Sequence, residues 1–303
     1  MKKLFILITL TIAFSGKLFT QNIDTLIFSD YKIIPHQYKF KNTIIEEISG
    51  IDYAGIPGKY YLLPQSKSAP HYFLCTIDEY KNQISWHLDS VIAIKAKDFD
   101  GESIRLNQKT HKIFLTEELK KQSFLKKINS DGSVKTILRS DSNQKFNRGW
   151  EGMTFDNTYK NLFISLEQAY NNPITDILKY NISSGKIDTF KYTLDILPDD
   201  TRNDNGITEI LYVNDTTILI LERDWQQSTK HTAVRVYKGI IDYKTKKVKK
   251  SKCLFNFDNL YFNPDNVEAM TFNADRSKIF FLTDDNRNKH QQTQIICFRI
   301  KYN

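Results

Sequence analysis

At 303 residues, with 43 Lys and Arg against 35 Asp and Glu, the chain has room for one large β-domain or two ordinary domains. Its formal charge of +8 is scattered, with one cluster at Lys244 to Lys252, which argues against a nucleic-acid partner. Three cysteines are too few for a disulfide framework, and 16 Tyr with 20 Phe favour strands.

The chain opens with Lys2 and Lys3, an apolar run from Leu4 to Phe14, the small Ser15 and Gly16, and polar Gln21 and Asn22. That order predicts a secretory signal peptide over residues 1–21, cleaved after Gly16 or after Gln21, and hence a periplasmic or extracellular protein. The apolar run is shorter than the roughly 20 residues that a spanning helix needs, and no later segment is a membrane-span candidate. Removing Lys2, Lys3 and Lys17 leaves 40 basic against 35 acidic residues. A monomer is expected. Cys75, Cys253 and Cys297 each sit in an apolar, strand-like run and read as small buried hydrophobes, although export would permit one Cys253–Cys297 disulfide.

Internal similarity organises residues 22–303. Five segments share an opening strand: ISGIDY (48–53), GESIRL (101–106), WEGMTF (150–155), ITEILYV (207–213) and VEAMTF (267–272). A turn and a strongly apolar strand ending in polar or acidic residues follow each one: KYYLLPQ, KIFLTEE, NLFISLE, TTILILE and KIFFLTD. Each unit then supplies two more strands, except the fifth, which ends at Asn303 one strand short. The segment DTLIFSDYKII (24–34) is available to complete it, as happens when a ring of four-stranded sheets is closed by strands from both termini. The fold predicted is therefore a single all-β domain, a β-propeller of four-stranded blades with five recognisable repeats. A sixth stays open if the longer units hide a degenerate blade. Only DEYKNQ and LTEELKKQ carry any helical signal.

Reading down the opening strands gives a column of Gly50, Glu102, Glu151, Glu209 and Glu268. The ends of the second strands give Gln65, Glu118, Glu167, Glu222 and Asp284. In an antiparallel hairpin the start of one strand lies beside the end of the next, so both columns fall at one end of the channel. Carboxylates converging there repel one another, and a hard, oxygen-preferring cation such as Ca²⁺ would offset that. Arg148 and Arg223 flank two of the acids as alternative partners, and Asp224, Asp285 and Asn286 add oxygen donors. Blade one lacks its acids, a gap that Glu46, Glu47 and Asp52 are placed to fill. Trp150 and Trp225 are candidates to line a substrate pocket or to pack at blade edges. There is no nucleophile-elbow, zinc or phosphate-loop motif, and the six histidines show no ligand spacing.

The succession EISGIDY, GESI, NRGWEGMTF, LERDW and NVEAMTF with TDDN resembles the phytase-like family, described as having esterase-like activity of phytase. The resemblance runs through the chain after residue 21 and implies an exported propeller that hydrolyses phosphate or other esters with Ca²⁺. It carries over Arg148, Glu151, Glu209, Glu222, Arg223, Asp224, Glu268, Asp284, Asp285 and Asn286; GESI departs from the family's usual Glu-Gly order. On this reading Glu151 and Glu222 are general bases and Arg223 steadies developing charge. Arg148, Trp150 and Trp225 contact a small ester or phosphoester. Glu102, Glu118, Glu167, Glu209, Asp224, Glu268, Asp284, Asp285 and Asn286 are the metal-ligand set. A non-catalytic propeller that binds a ligand or partner, and a metal-dependent lactonase or carboxylesterase, are the competing expectations.

Overall fold

The computed structural model describes residues 22–141, 148–167, 172–196, 205–226 and 229–303. The expected leader, residues 1–21, lies outside them. No helix among the described residues is long and apolar enough to cross a membrane.

The chain enters on β1 (Ile23–Ile34) and a two-residue hairpin of β2 (Lys39–Phe40) and β3 (Thr43–Ile44). Blade one follows as β4 (Ile48–Tyr53), β5 (Lys59–Pro64), β6 (His71–Tyr80) and β7 (Gln83–Ala93). Blade two is β8 (Gly101–Asn107), β9 (Lys112–Leu119), β10 (Gln122–Ile128) and β11 (Val134–Arg139). Blade three is β12 (Trp150–Phe155), β13 (Asn161–Leu166), β14 (Ile174–Asn181) and β15 (Ile187–Thr193). Blade four is β16 (Gly206–Asn214), β17 (Thr217–Gln226), β18 (His231–Asp242) and β19 (Lys247–Asn256). Blade five holds β20 (Asn266–Phe272), β21 (Lys278–Asp284) and β22 (Thr293–Tyr302).

Within each blade the strands pair in chain order, and β1 completes blade five as its outermost strand, antiparallel to β22. The closure inferred from DTLIFSDYKII is thus present, one residue longer at its start. The innermost strands β4, β8, β12, β16 and β20 adjoin one another in sequence and back to the first, so the sheets stand around a channel as a β-propeller. Blades three and four also join at their outer edges through a short parallel pairing, Lys191 with Lys247 and Tyr192 with Val248. That pairing covers two edges that would otherwise present free backbone groups.

The cores lie between blades. Alternation along β17 sends Ile218 and Ile220 into the cluster shared with blade three, and Leu219 and Leu221 into the one shared with blade five. DEYKNQ and LTEELKKQ make hairpin turns rather than helices: Lys81, Asn82 and Lys120 take positive φ, and the flanking residues extend the strands. Helix propensity loses there to the strand pairing on either side. Among the described residues, only Phe257–Asn259 form a helical turn. Cys75, Cys253 and Cys297 are all free thiols; Cys75 and Cys297 are buried as expected, while Cys253 is exposed on an outer strand.

Candidate functional site

The pairing of every innermost strand with its neighbour skips at the same place. The breaks fall between Ile48 and Gly50, Gly101 and Ser103, Trp150 and Met153, Ile207 and Glu209, and Val267 and Ala269. A bulge leaves a residue out of the ladder and re-aims its side chain. The residues left out are Ser49, Glu102, Glu151 with Gly152, Thr208, and Glu268. The column at the channel mouth is therefore Ser49, Glu102, Glu151, Thr208 and Glu268. Two of its expected members, Gly50 and Glu209, stand one residue further on. A one-residue slip in a strand changes the face a side chain occupies, so Glu209 leaves the mouth.

Glu209 instead forms a fully buried ion pair, its Oε2 lying 2.7 Å from Arg105 Nη2. Its Oε1 accepts from the amides of Met153 and Ile210, each at 3.0 Å. Arg105 also donates to the carbonyls of Ile51 at 2.6 Å and Met270 at 3.2 Å. Arg105 of blade two, Glu209 of blade four and these three backbone partners in blades one, three and five tie all five blades together at the axis. Gly152 is required beside them, because a Cβ there would lie 2.6 Å from Glu209 Cα.

On the mouth side of this pair, Glu102, Glu118 and Glu151 each bring a carboxylate oxygen within 4.8 Å of the others. Glu118, from the end of β9, is oriented by the amides of Arg148 (3.2 Å) and Gly149 (3.0 Å). That grip explains the glycine of NRGW: a Cβ on Gly149 would meet Ser123 Oγ at 2.2 Å and Glu118 Oε2 at 2.8 Å. Gln65, where blade one lacks an acid, donates its amide to Glu102 at 2.6 Å. Glu167 takes Arg148 Nη1 at 2.9 Å and Arg223 Nη2 at 3.4 Å. Arg223 reaches across to Glu268 and to Asn266, and Asn266 donates to Glu268 at 2.6 Å. Asp284 adjoins Glu268 and accepts from the Asn286 amide at 2.7 Å.

The family model for phytase-like proteins, described as esterase-like activity of phytase, matches residues 43–287, well over half of the chain. The chain belongs to the phytase-like family. No curated protein sequence matches it. Among solved structures, it is similar to a Lactobacillus plantarum protein (10% identity, 80% of this chain and 79% of that one, TM-score 0.46). A chain of a nidogen/laminin complex (11%, 89% and 95%, 0.42) and TolB from Acinetobacter baumannii (10%, 84% and 55%, 0.42) are also similar. Such distant likenesses add nothing to the chemistry of the mouth.

In this phytase-like chain six carboxylates, Glu102, Glu118, Glu151, Glu167, Glu268 and Asp284, share the mouth with the guanidiniums of Arg148 and Arg223. Burial pushes Glu118 up to about 7, with Glu167 and Asp100 adding to it against the two amides. Burial and neighbouring carboxylates hold Glu102, Glu151 and Asp284 well above the ordinary range. Glu268 is raised by burial, although Arg223 pulls the other way. For Arg223, burial works against the charged form, yet Glu268, Glu167, Glu151 and Asp284 keep its pKa above the usual value. The donor set is all oxygen and in excess negative, which suits a hard cation and not a thiolate- or imidazole-seeking one. Ca²⁺ binds oxygens at about 2.3–2.6 Å, so ligands on opposite sides of one ion lie up to roughly 5 Å apart, and the Glu102–Glu118–Glu151 spacing fits.

The phytase-like mouth leaves out several residues that the sequence pointed to. Glu222 lies on the opposite face of β17 from Arg223, in the seam with blade three. There it accepts from Tyr192 Oη (2.6 Å) and Asn205 (2.9 Å) and pairs with Lys250 (2.6 Å). Strict alternation along the strand separates it from Arg223. Asp224 is buried and shares the Glu222 face. Asp285 Oδ1 fastens the backbone amides of Glu47 (3.0 Å) and Arg287 (3.2 Å), and Asn286 sits exposed in a turn with positive φ. Trp150 is part of a core cluster with Met153 and Leu162, whereas Trp225 is 45% exposed. Glu46 and Glu47 pair with Arg287, and Asp52 lies towards the other end of β4. Asn266, Arg105 and the donor role of Gln65 stand out only in the folded chain. Aligning the repeats on Ile51, Ile104, Met153, Ile210 and Met270 would have corrected the column.

Proposed function

We propose that this chain is an exported, Ca²⁺-dependent hydrolase of phosphoesters or related esters that works at the carboxylate mouth. The observation that carries the reading is the convergence of Glu102, Glu118 and Glu151, which would hold the ion together. When bound, Ca²⁺ neutralises ester oxygens and makes a nearby water more acidic. Arg223 and Arg148 present guanidinium N–H groups to anionic oxygens, and their attachment to Glu167 and Glu268 fixes their planes. Glu268 Oε1 is taken by Arg223 and Asn266, which leaves Oε2 to accept a proton from water. A carboxyl held above its ordinary range is better matched to that task near neutral pH.

The test is thermal melting with Ca²⁺ and with chelator, for the wild type and Glu151→Gln, alongside hydrolysis of an aryl phosphate. The wild type should melt higher with Ca²⁺ and lose hydrolysis on chelation, and the variant should lose most of the shift, since binding to the folded state raises stability by mass action. A wild type indifferent to Ca²⁺ would sink the metal site. The pairing of Glu167 and Glu268 with Arg223 also favours a second reading, a propeller that binds a ligand without turning it over. In that case the Ca²⁺ shift persists and turnover of phosphoesters, acyl esters and lactones is absent.

A further inference from the structure

The Arg105–Glu209 pair divides the channel, and on its far side lies a second opening with a cavity of about 210 Å³. The ends of the innermost strands and the turns that follow them build it, so all five blades contribute. Its polar members include Asp52 from blade one, Arg105 from blade two, Thr154 and Tyr159 from blade three, and Thr271 and Arg276 from blade five. None of them belongs to the carboxylate mouth.

Two features point to an occupant. Arg105 is 3% exposed and spends Nη1 and Nη2 on Glu209 and carbonyl oxygens, yet its Nε–H has no acceptor. A buried donor left unmet costs about 1–3 kcal/mol. Asp52, half-buried beside it, takes the Leu106 amide at 2.6 Å, the Tyr53 amide and a long 3.3 Å bond from Thr271; a carboxylate has about four acceptor sites, so acceptor capacity remains. An occupant must therefore both accept and donate. Aromatic rings, Tyr53, Phe155, Tyr159 and Phe272, supply flat apolar walls around these groups. The charged residues of the lining, Arg105 and Arg276 against Asp52 and Asp156, balance, so the cavity selects neither an anion nor a cation. Its volume is that of about seven liquid waters, enough for a small ring.

We propose that this far opening is a binding site for a small neutral polyhydroxyl compound of monosaccharide size. Its ring lies against the aromatic walls, one hydroxyl oxygen accepts from Arg105 Nε–H, and a hydroxyl proton is donated to Asp52. The phenols of Tyr53 and Tyr159, neutral at ordinary pH and raised further by burial, add donors at the wall.

Titration calorimetry of the full chain with glucose, xylose and sorbitol tests this, with choline and phosphate as charged controls. At least one of the three neutral probes should bind saturably in the millimolar range, equally with Ca²⁺ or chelator present. Tyr159→Phe, which keeps the ring and removes one hydroxyl, should weaken it roughly three- to tenfold. Asp52→Asn should weaken it more, and if that variant does not fold, Tyr159→Phe decides alone. Absence of binding by all three neutral probes overturns the proposal. So does binding that Tyr159→Phe leaves unchanged, or preference for choline or phosphate.

Discussion

Replacing Arg105 by Met strips the counter-charge from Glu209 at the point where all five blades meet. Glu209 is wholly buried, and burial pushes its carboxyl up to about 7 despite Arg105 and the amides of Ile210 and Met153. The sign follows from the gap between that value and the ordinary 4.5. Below about pH 4.5 the carboxyl is protonated in both states, and this group contributes no penalty. As pH rises towards about 7 the unfolded chain releases the proton first, so stability falls, by about 3 kcal/mol at 1.36 kcal/mol per unit. Arg105→Met widens the gap and extends the fall above pH 7. Removing one member of a buried pair costs about 3–5 kcal/mol, which for a chain of this size lowers the melting temperature by roughly 6–20 °C. Melting of wild type, Arg105→Met, Glu209→Gln and the double variant from about pH 5 to about pH 8 measures this. The deficit of Arg105→Met should be smaller at the acid end, and the double variant should recover much of it. Equal losses in Arg105→Met and the double variant at every pH would refute the charge argument, leaving only the packing of the two side chains.

Gly149→Ala should destabilise by about 1–3 kcal/mol through displacement of Ser123 and Glu118, read by denaturant unfolding, and should reduce any Ca²⁺-dependent shift as well. Deleting residues 22–34 removes β1 with its buried Ile23, Leu26 and Ile34 and uncovers the β22 edge and the core residues they pack with, Ile295, Ile296 and Phe298 among them, so calorimetry should show no cooperative melting of the wild-type kind. Under native conditions an alkylating reagent should label Cys253 alone of the three cysteines. Cys75 and Cys297 are buried, with thiols pushed up to about 12, and should react only after unfolding, as mass spectrometry would show.

The repeat of four strands and its closure by residues 24–34 were legible without coordinates, because strand alternation and the missing last strand are written along the chain. Most of the mouth was legible for the same reason: Glu102, Glu118, Glu151, Glu167, Glu268 and Asp284 recur at the corresponding ends of paired strands, and Arg148 and Arg223 flank two of them in the chain. What only the tertiary structure decided turns on single-residue register. A bulge in each innermost strand gives the mouth to Thr208 and sends Glu209 to the buried pair with Arg105 at the axis, since one step along a strand exchanges its faces. The same alternation gives Arg223 to the mouth and Glu222 to the seam with blade three, although the two are neighbours in the chain. Arg105 carried no sequence signal at all, because its partners, Ile51, Glu209 and Met270, come from three other blades and meet only when the ring closes.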